Sequence, residues 1–248
     1  MLSQAEIKLI NSLKLTKNRR KTGLFLVEGP KMISELINYA NFEIKFIAAN
    51  KKWIDSHSDL NNFALKEISE NALQKLSNFS TANEVLAVVK IPEYQEFTTN
   101  IDSLYLVLDN IQDPGNLGTI IRTADWFGIK QIICSTDTVD CFNPKVVQAT
   151  MGSLFRVKCY YEDIPTFLKK QQIPIYGTLL SGKNIYEENL SQSGFIVIGN
   201  ESKGISQEVQ SLITRPLFIP NYSQSKAESL NASIASAIVC AEFRRSQN

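Results

Sequence analysis

The chain has 248 residues, 44% hydrophobic and 21% charged, with 26 Lys and Arg against 25 Asp and Glu for a formal net charge of +1. This balance describes one large globular domain or two smaller ones, and excludes a disordered chain and a uniformly basic nucleic-acid binder. No apolar run approaches the ~18 residues of a membrane helix, and MLSQAEIKLINSLK is amphipathic rather than a signal peptide, so a soluble cytoplasmic protein without membrane attachment is expected.

Residues 1–97 read as a compact α/β unit: helix 3–13, a basic loop, strand 24–28, helix 31–40, strand 44–49, helix 70–77 and strand 85–90. Residues 1–31 carry seven basic residues against Glu6 and Glu28, and five of them (Lys14, Lys17, Arg19, Arg20 and Lys21) fall within positions 14–21. Together with Lys31, this cluster suits a phosphate backbone and equally a solvated helix end. In EGPK, Gly29 permits a tight strand-to-helix turn, and Pro30 suits a first helical turn because its missing N–H would be unpaired there. The segment IPEYQEFTTNIDS has no clear periodicity and reads as a linker, dividing the chain into domains 1–97 and 98–248.

From residue 104 the pattern is strand 104–109, helix 117–127, strand 130–134, helix 143–149, strand 155–158, helix 163–171, strand 174–179, strand 195–198, helix 205–212, strand 216–219 and helix 232–244. Such alternation predicts a parallel α/β sheet with helices on both faces. Cys134, Cys141, Cys159 and Cys240 are too scattered for a CxxC pair, and with His57 as the single histidine a metal site is not expected. The polar setting of His57, WIDSHSDLNN, reads as surface, which removes Ser-His-Asp and Cys-His chemistry.

Three apolar strands each run into a loop of glycine, asparagine and charge, where an open parallel sheet binds its ligands. In DNIQDPGNLGTIIRTADWFG, Leu117, Ile120, Ile121, Ala124 and Phe127 follow helical spacing. Arg122 beside that stripe suits a pocket border or a surface ion pair, and Asn116 suits a ligand or a helix N-cap. In FIVIGNESKGIS, Gly199 and Gly204 bracket Glu201, so backbone groups can approach a flat ligand while the acid opposes a triphosphate; a plain turn with an acid at a helix start is the other reading. In IPNYSQSKAESLNASIASAIVCAEFRR, Ser229, Leu230 and Asn231 precede a helix that opens on small residues, with Asn231 an apt N-cap. Neither GxGxxG nor a P-loop is present, which counts against a nucleotide-dependent α/β enzyme.

In this order and spacing the three segments resemble the SpoU/TrmH family of SPOUT methyltransferases, which transfer a methyl group from S-adenosylmethionine to a ribose 2′-hydroxyl in RNA. The first motif is carried by Asn116, Gly118, Arg122, Thr123 and Ala124, the second by Gly199, Glu201 and Gly204. The third is carried by Ile219, Pro220, Ser229, Leu230, Asn231, Ala232 and Ser233. The chain departs from the family at NYSQSKAE, where members often have a methionine or similar residue and a glycine. LFLVEGPKMISELI and the basic stretch before it look like the family's N-terminal substrate-binding domain of ribosomal protein L30e type.

The resemblance implies an α/β fold with a trefoil-knotted, parallel-sheet methyltransferase domain behind a smaller α/β L30e-like domain, and a homodimer with its active site near the subunit interface. It implies S-adenosylmethionine held by Thr178, Leu180, Gly199, Asn200, Ile219 and Leu230, with no metal. It places Arg122, Asn116, Glu201, Ser229 and Asn231 at the catalytic centre and Lys17, Arg19, Arg20, Lys21 and Lys31 on the RNA. Ribosomal RNA of the large subunit is expected before transfer RNA, and a non-catalytic RNA-binding dimer of the same fold is the rival reading.

Overall fold

The computed structural model describes residues 1–38, 42–57, 60, 62–79, 81, 83–222 and 229–245. The chain forms two compact units, the first Met1–Tyr94 with Asp140–Phe155 and the second Gln95–Val139 with Arg156–Asn248.

The first ninety residues run α1 (Gln4–Ser12), α2 (Thr16–Thr22), β1 (Leu24–Glu28), α3 (Pro30–Asn38), β2 (Ile44–Ala49), α4 (Lys51–Asp55), β3 (Leu65–Glu67), α5 (Glu70–Leu76) and β4 (Val85–Lys90). A capping box starts α1: Glu6 N–H donates to the Ser3 hydroxyl and Ser3 N–H to the Glu6 carboxylate, satisfying two amides the helix leaves unpaired. The sheet order is β1-β4-β2-β3, with β4 antiparallel to both neighbours and β3 parallel to β2. Ile10 and Leu13 from the N-terminal helix region pack with Leu26, Phe46, Leu73 and Val88.

Three elements of this unit differ from the sequence expectation. The basic stretch is helical, α2, closed by Gly23 at φ 64° whose N–H donates to the Arg19 carbonyl. KNRRK has no apolar period to announce a helix; tertiary burial of Arg19 supplies what the pattern lacks. The short α4 and β3 also fall below the length at which periodicity shows. The last two residues expected for helix 31–40 lie outside the described residues. His57 stacks on Trp53 at 4.1 Å.

The remainder of the chain runs β5 (Leu104–Asp109), α6 (Pro114–Trp126), β6 (Gln131–Ser135), α7 (Pro144–Thr150), a 3-10 turn at Ser153–Phe155, β7 (Lys158–Glu162), α8 (Ile164–Leu168), β8 (Ile175–Asn184), β9 (Gly194–Gly199), α9 (Gln207–Gln210), β10 (Arg215–Phe218) and α10 (Ala232–Arg245). Residues 140–155, including α7, group with the first unit. Phe142 lies 4.7 Å from Phe25 and Phe155 lies 5.2 Å from Phe42, ring centre to ring centre, while Asp140 meets Arg19. A contiguous two-domain division has no place for this return, which the sequence announces only through two aromatics and one acid.

The second unit is a six-stranded sheet of order β10-β8-β9-β5-β6-β7 in which every adjacent pair is parallel. β5 and most of β9 are buried on both faces, as continuous apolar runs in a parallel sheet should be. Alternate residues Tyr105, Val107, Ile133, Phe195 and Val197 pack with Ile164, Leu168 and Val209 from α8 and α9. Phe97, inside the stretch read as a linker, sits 5.2 Å from both Tyr105 and Phe167 and pins that stretch to the second unit.

Helices α6 and α10 lie against each other. β7 begins at Lys158 rather than 155 because residues 153–155 form the buried 3-10 turn. α8 and α9 are shorter than expected. β8 does not stop near 179. Gly177 pairs with Pro216 and Lys183 with Leu217, so residues 178–182 leave the ladder as an excursion and the strand then resumes.

Candidate active site

The carboxyl ends of β5, β9 and β10 deliver the three motif loops to one place in the second unit. α6 starts three residues earlier than its apolar spacing suggests: Asp113 is the N-cap, accepting the Asn116 N–H at 2.8 Å, and Pro114 occupies the first turn. This corrects the N-cap reading of Asn116. Its side chain, freed from capping, donates to the Glu201 carboxylate and accepts a hydrogen bond of 2.9 Å from Asn231 Nδ2. Asn231 meanwhile caps α10, its Oδ1 accepting from Ser233 N–H at 2.9 Å and the Ser233 hydroxyl at 2.6 Å. One relay, Asn231 to Asn116 to Glu201, therefore ties together three loops separated by 85 and 115 residues along the chain.

The loop after β9 is built by close backbone approach. A Cβ on Gly199 would lie 2.3 Å from Gly204 C and from Ile205 N, so no side chain fits there. Gly204 stands at φ 69°, a conformation that favours glycine. Asn200 pairs through its backbone with Gly204, accepts from Ser202 and Lys203 N–H on Oδ1, and donates 2.9 Å to the Asn110 carbonyl. Its hydrogen-bonding groups thus shape the loop that a ligand at Gly199 would meet.

On neighbouring strands, half-buried Thr178 opens the β8 excursion, Leu180 stands 82% exposed within it, and half-buried Ile219 follows β10. Leu230 is 47% exposed. Thr178, Leu180, Gly199, Asn200, Ile219 and Leu230 include no basic residue. A donor set of backbone groups and exposed aliphatics suits a flat, apolar ligand of neutral or positive charge and offers nothing to a polyphosphate.

Arg122 lies six residues beyond Asn116 on α6, exposed, with no hydrogen bond or ion pair among the described residues. Ser229 is exposed and outside the relay. Of the segment that departs from the family pattern, residues 221–228, all but Asn221 and Tyr222 lie outside the described residues.

In the first unit, Lys17, Arg20, Lys21 and Lys31 are exposed, but Arg19 is not. All five of its N–H groups are used: Nε and Nη2 donate to Asp140 Oδ2 at 2.9 and 2.6 Å, Nη1 to the Leu13 and Lys14 carbonyls, and Nη2 also to the Thr16 hydroxyl. Arg19 is a structural residue, not an RNA contact. Sequence reasoning also passed over Glu28, a buried carboxylate that accepts from Ser77 Oγ, Asn78 N–H and Asn78 Nδ2 and so fixes the start of the loop after α5. It likewise passed over Asp109, which accepts the Ser206 N–H at 2.7 Å; an acid closing an apolar strand was the available signal.

A parallel sheet with glycine-edged, polar loops at its carboxyl ends defines a ligand-binding α/β core. The SpoU rRNA methylase family model matches residues 103–241, and the MRM3-like substrate-binding domain model matches residues 4–87. The 23S rRNA (guanosine(2553)-2′-O)-methyltransferase RlmP of Bacillus subtilis is 30% identical over 96% of both chains. A TrmH-family protein from Porphyromonas gingivalis superposes with a TM-score of 0.88 at 38% identity, covering 99% of each chain. The SpoU methyltransferase AviRb of Streptomyces viridochromogenes, solved with its cofactor AdoMet, superposes at 0.87 with 25% identity over 99% of this chain and 98% of its own. The chain belongs to the SpoU rRNA methylase family.

Proposed function

We propose that this protein transfers a methyl group from S-adenosylmethionine to a ribose 2′-hydroxyl of 23S ribosomal RNA. The observation that carries the reading is the Asn231–Asn116–Glu201 relay, which joins the three motif loops beside a glycine edge that admits only backbone. Thr178, Leu180, Gly199, Ile219 and Leu230 would hold the cofactor, which would supply a methyl carbon to the 2′-oxygen as its C–S bond breaks, with S-adenosylhomocysteine leaving and the hydroxyl proton passing to water. The relay fixes the Glu201 carboxylate and the Asn116 amide so that polar groups stand in place before the reaction. Arg122, without a partner among the described residues, anchors RNA phosphate and stabilises the developing alkoxide. A guanidinium holds its proton too tightly to serve as a proton acceptor.

Lys17, Arg20, Lys21 and Lys31 give the first unit a basic surface for structured RNA. The chain forms a homodimer through α6 and α10, where Trp126 is 84% exposed and Ile234, Ile238 and Ala241 leave an apolar stripe. The backbone is threaded as a trefoil knot around the residue 178–182 excursion, and the protein works in the cytoplasm.

Replacing Arg122 by Ala tests the reading: transfer of labelled methyl to ribosomal RNA should fall at least about a hundredfold while S-adenosylmethionine affinity holds. Near-normal turnover would remove Arg122 from the centre.

A further inference from the structure

Asp109 is the one charged residue of β5 and closes the strand at 7% exposure. Burial of a carboxylate is costly unless donors meet it. The donor here is the Ser206 N–H, 2.7 Å from Oδ2. Ser206 is the N-cap of α9, so that N–H has no partner within the helix. The Asp109 backbone meanwhile pairs with Gly199 in the parallel ladder of β5 and β9. One residue therefore holds both ends of the loop 199–206, the main chain its start and the carboxylate its return.

That loop carries Gly199 and Asn200 at the edge assigned above to the cofactor, and Glu201, whose carboxylate accepts from the Asn116 side chain. Its internal bonds are local. Asn200 N–H donates to the Gly204 carbonyl at 3.1 Å, Gly204 N–H to the Asn200 carbonyl at 2.8 Å, and Ser202 and Lys203 N–H to Asn200 Oδ1. These give the loop its shape but not its place. Contacts with other elements supply the place: Asn200 Nδ2 donates 2.9 Å to the Asn110 carbonyl, Ile205 packs in the core with Val197 and Val209, and Ser206 meets Asp109. Packing of Ile205 is non-directional. The Asp109 carboxylate accepts in a set direction and, unlike a carboxamide, has no donor to turn toward that N–H. Asp109 and Asn110 thus begin the first motif loop and hold the second.

We propose that Asp109 is a positioning residue for S-adenosylmethionine. By clamping residues 199–206 at both ends, it keeps the backbone of Gly199 and Asn200 where the cofactor is received and the Glu201 carboxylate where it meets Asn116. The inference rests on the methyl-transfer reading above. Asp109 acts through Ser206 rather than by contact with either substrate. Its removal shifts the loop as a unit, because the internal bonds survive, and leaves the basic surface of the first unit untouched.

The test compares Asp109→Ala and Asp109→Asn in the full chain. Asp109→Ala should raise KM for S-adenosylmethionine roughly tenfold, the loss of one charge-assisted hydrogen bond, while KM for RNA holds. Asp109→Asn keeps an oxygen for the Ser206 N–H without the charge, about half the bond, so its rise should stop at about threefold. A fall in kcat with both KM values unchanged marks lost folded protein and overturns the proposal, as does an asparagine variant no better than the alanine one. Should the alanine chain not fold, the asparagine chain, of equal volume, decides: an unchanged KM for S-adenosylmethionine overturns the assignment. Hydrogen exchange of the ligand-free proteins forms a second arm, with residues 199–206 expected to exchange at least about tenfold faster without the carboxylate and β5 unchanged. If the wild-type chain neither binds S-adenosylmethionine nor transfers methyl, the functional reading fails instead. The exchange arm still judges the clamp, and an unchanged rate in residues 199–206 overturns it.

Discussion

The Arg19–Asp140 pair gives the sharpest quantitative expectation, tested by Asp140→Asn. The substitution keeps side-chain volume and leaves an oxygen for the Phe142 N–H, which Asp140 Oδ1 accepts at 2.9 Å. It removes the charge facing a guanidinium of zero exposure, and two of that group's five hydrogen bonds lose their anionic acceptor. Breaking a buried pair from one side costs about 3–5 kcal/mol. The Asp140 side chain is 17% exposed, so water can reach its end of the pair and the lower figure, about 3 kcal/mol, is expected. At about 4 °C per kcal/mol for a unit of this size, calorimetry should show the melting transition of the first unit displaced downward by about 12 °C. Adding Arg19→Met to Asp140→Asn should recover much of the loss, because no charge then remains buried. A loss below about 1 kcal/mol, or a double variant weaker than the single, would refute the account of Arg19 as a buried structural cation.

Further expectations concern the two units separately. Gly199→Ala drives a methyl group into the backbone of Gly204 and Ile205, so calorimetric titration should show S-adenosylmethionine affinity down at least about tenfold; wild-type affinity would show that the loop yields freely. Lys17→Ala, Arg20→Ala and Lys21→Ala together should lower the slope of log affinity against log salt for RNA by about two to three, whereas Arg19→Met should leave it unchanged. Asn231→Asp keeps the α10 cap but loses the donor to Asn116, so kcat should drop while the melting temperature holds; Asn231→Ala should also cost about 1 kcal/mol of stability. Burial pushes the Cys240 thiol up to about 12, and Cys134, Cys141 and Cys159 are buried too. Thiol reagents at pH 8 should label the native protein only after unfolding, and rapid labelling would contradict the packing of α10.

Legibility followed the length and regularity of each element. The parallel sheet was readable because its strands are continuous apolar runs between helices with clear spacing, and the motif positions were readable because their order is distinctive. Asn116 shows where local reasoning stops: as a lone residue it fits an N-cap, and only the neighbouring Asp113–Pro114 pair shows that the cap is already filled. Arg19 is the converse case, a basic residue among basic residues whose partner stands 121 positions away. The excursion at 178–182 was invisible because nothing in TLLSG announces that the strand resumes at Lys183 beside Leu217. Long-range partners, not local propensity, decided each of these positions.

The Asn116–Asn231 hydrogen bond bears on how the protein is made. While a ribosome has yet to add residue 231, the Asn116 side chain has no amide to accept from and is held only through its bond to Glu201. At synthesis rates of about 5–20 residues per second, the β5–α6 segment waits several seconds for the helix that completes it. No amino-terminal fragment ending short of α10 can hold the assembled centre, so immature copies released early are inert toward RNA rather than partly active.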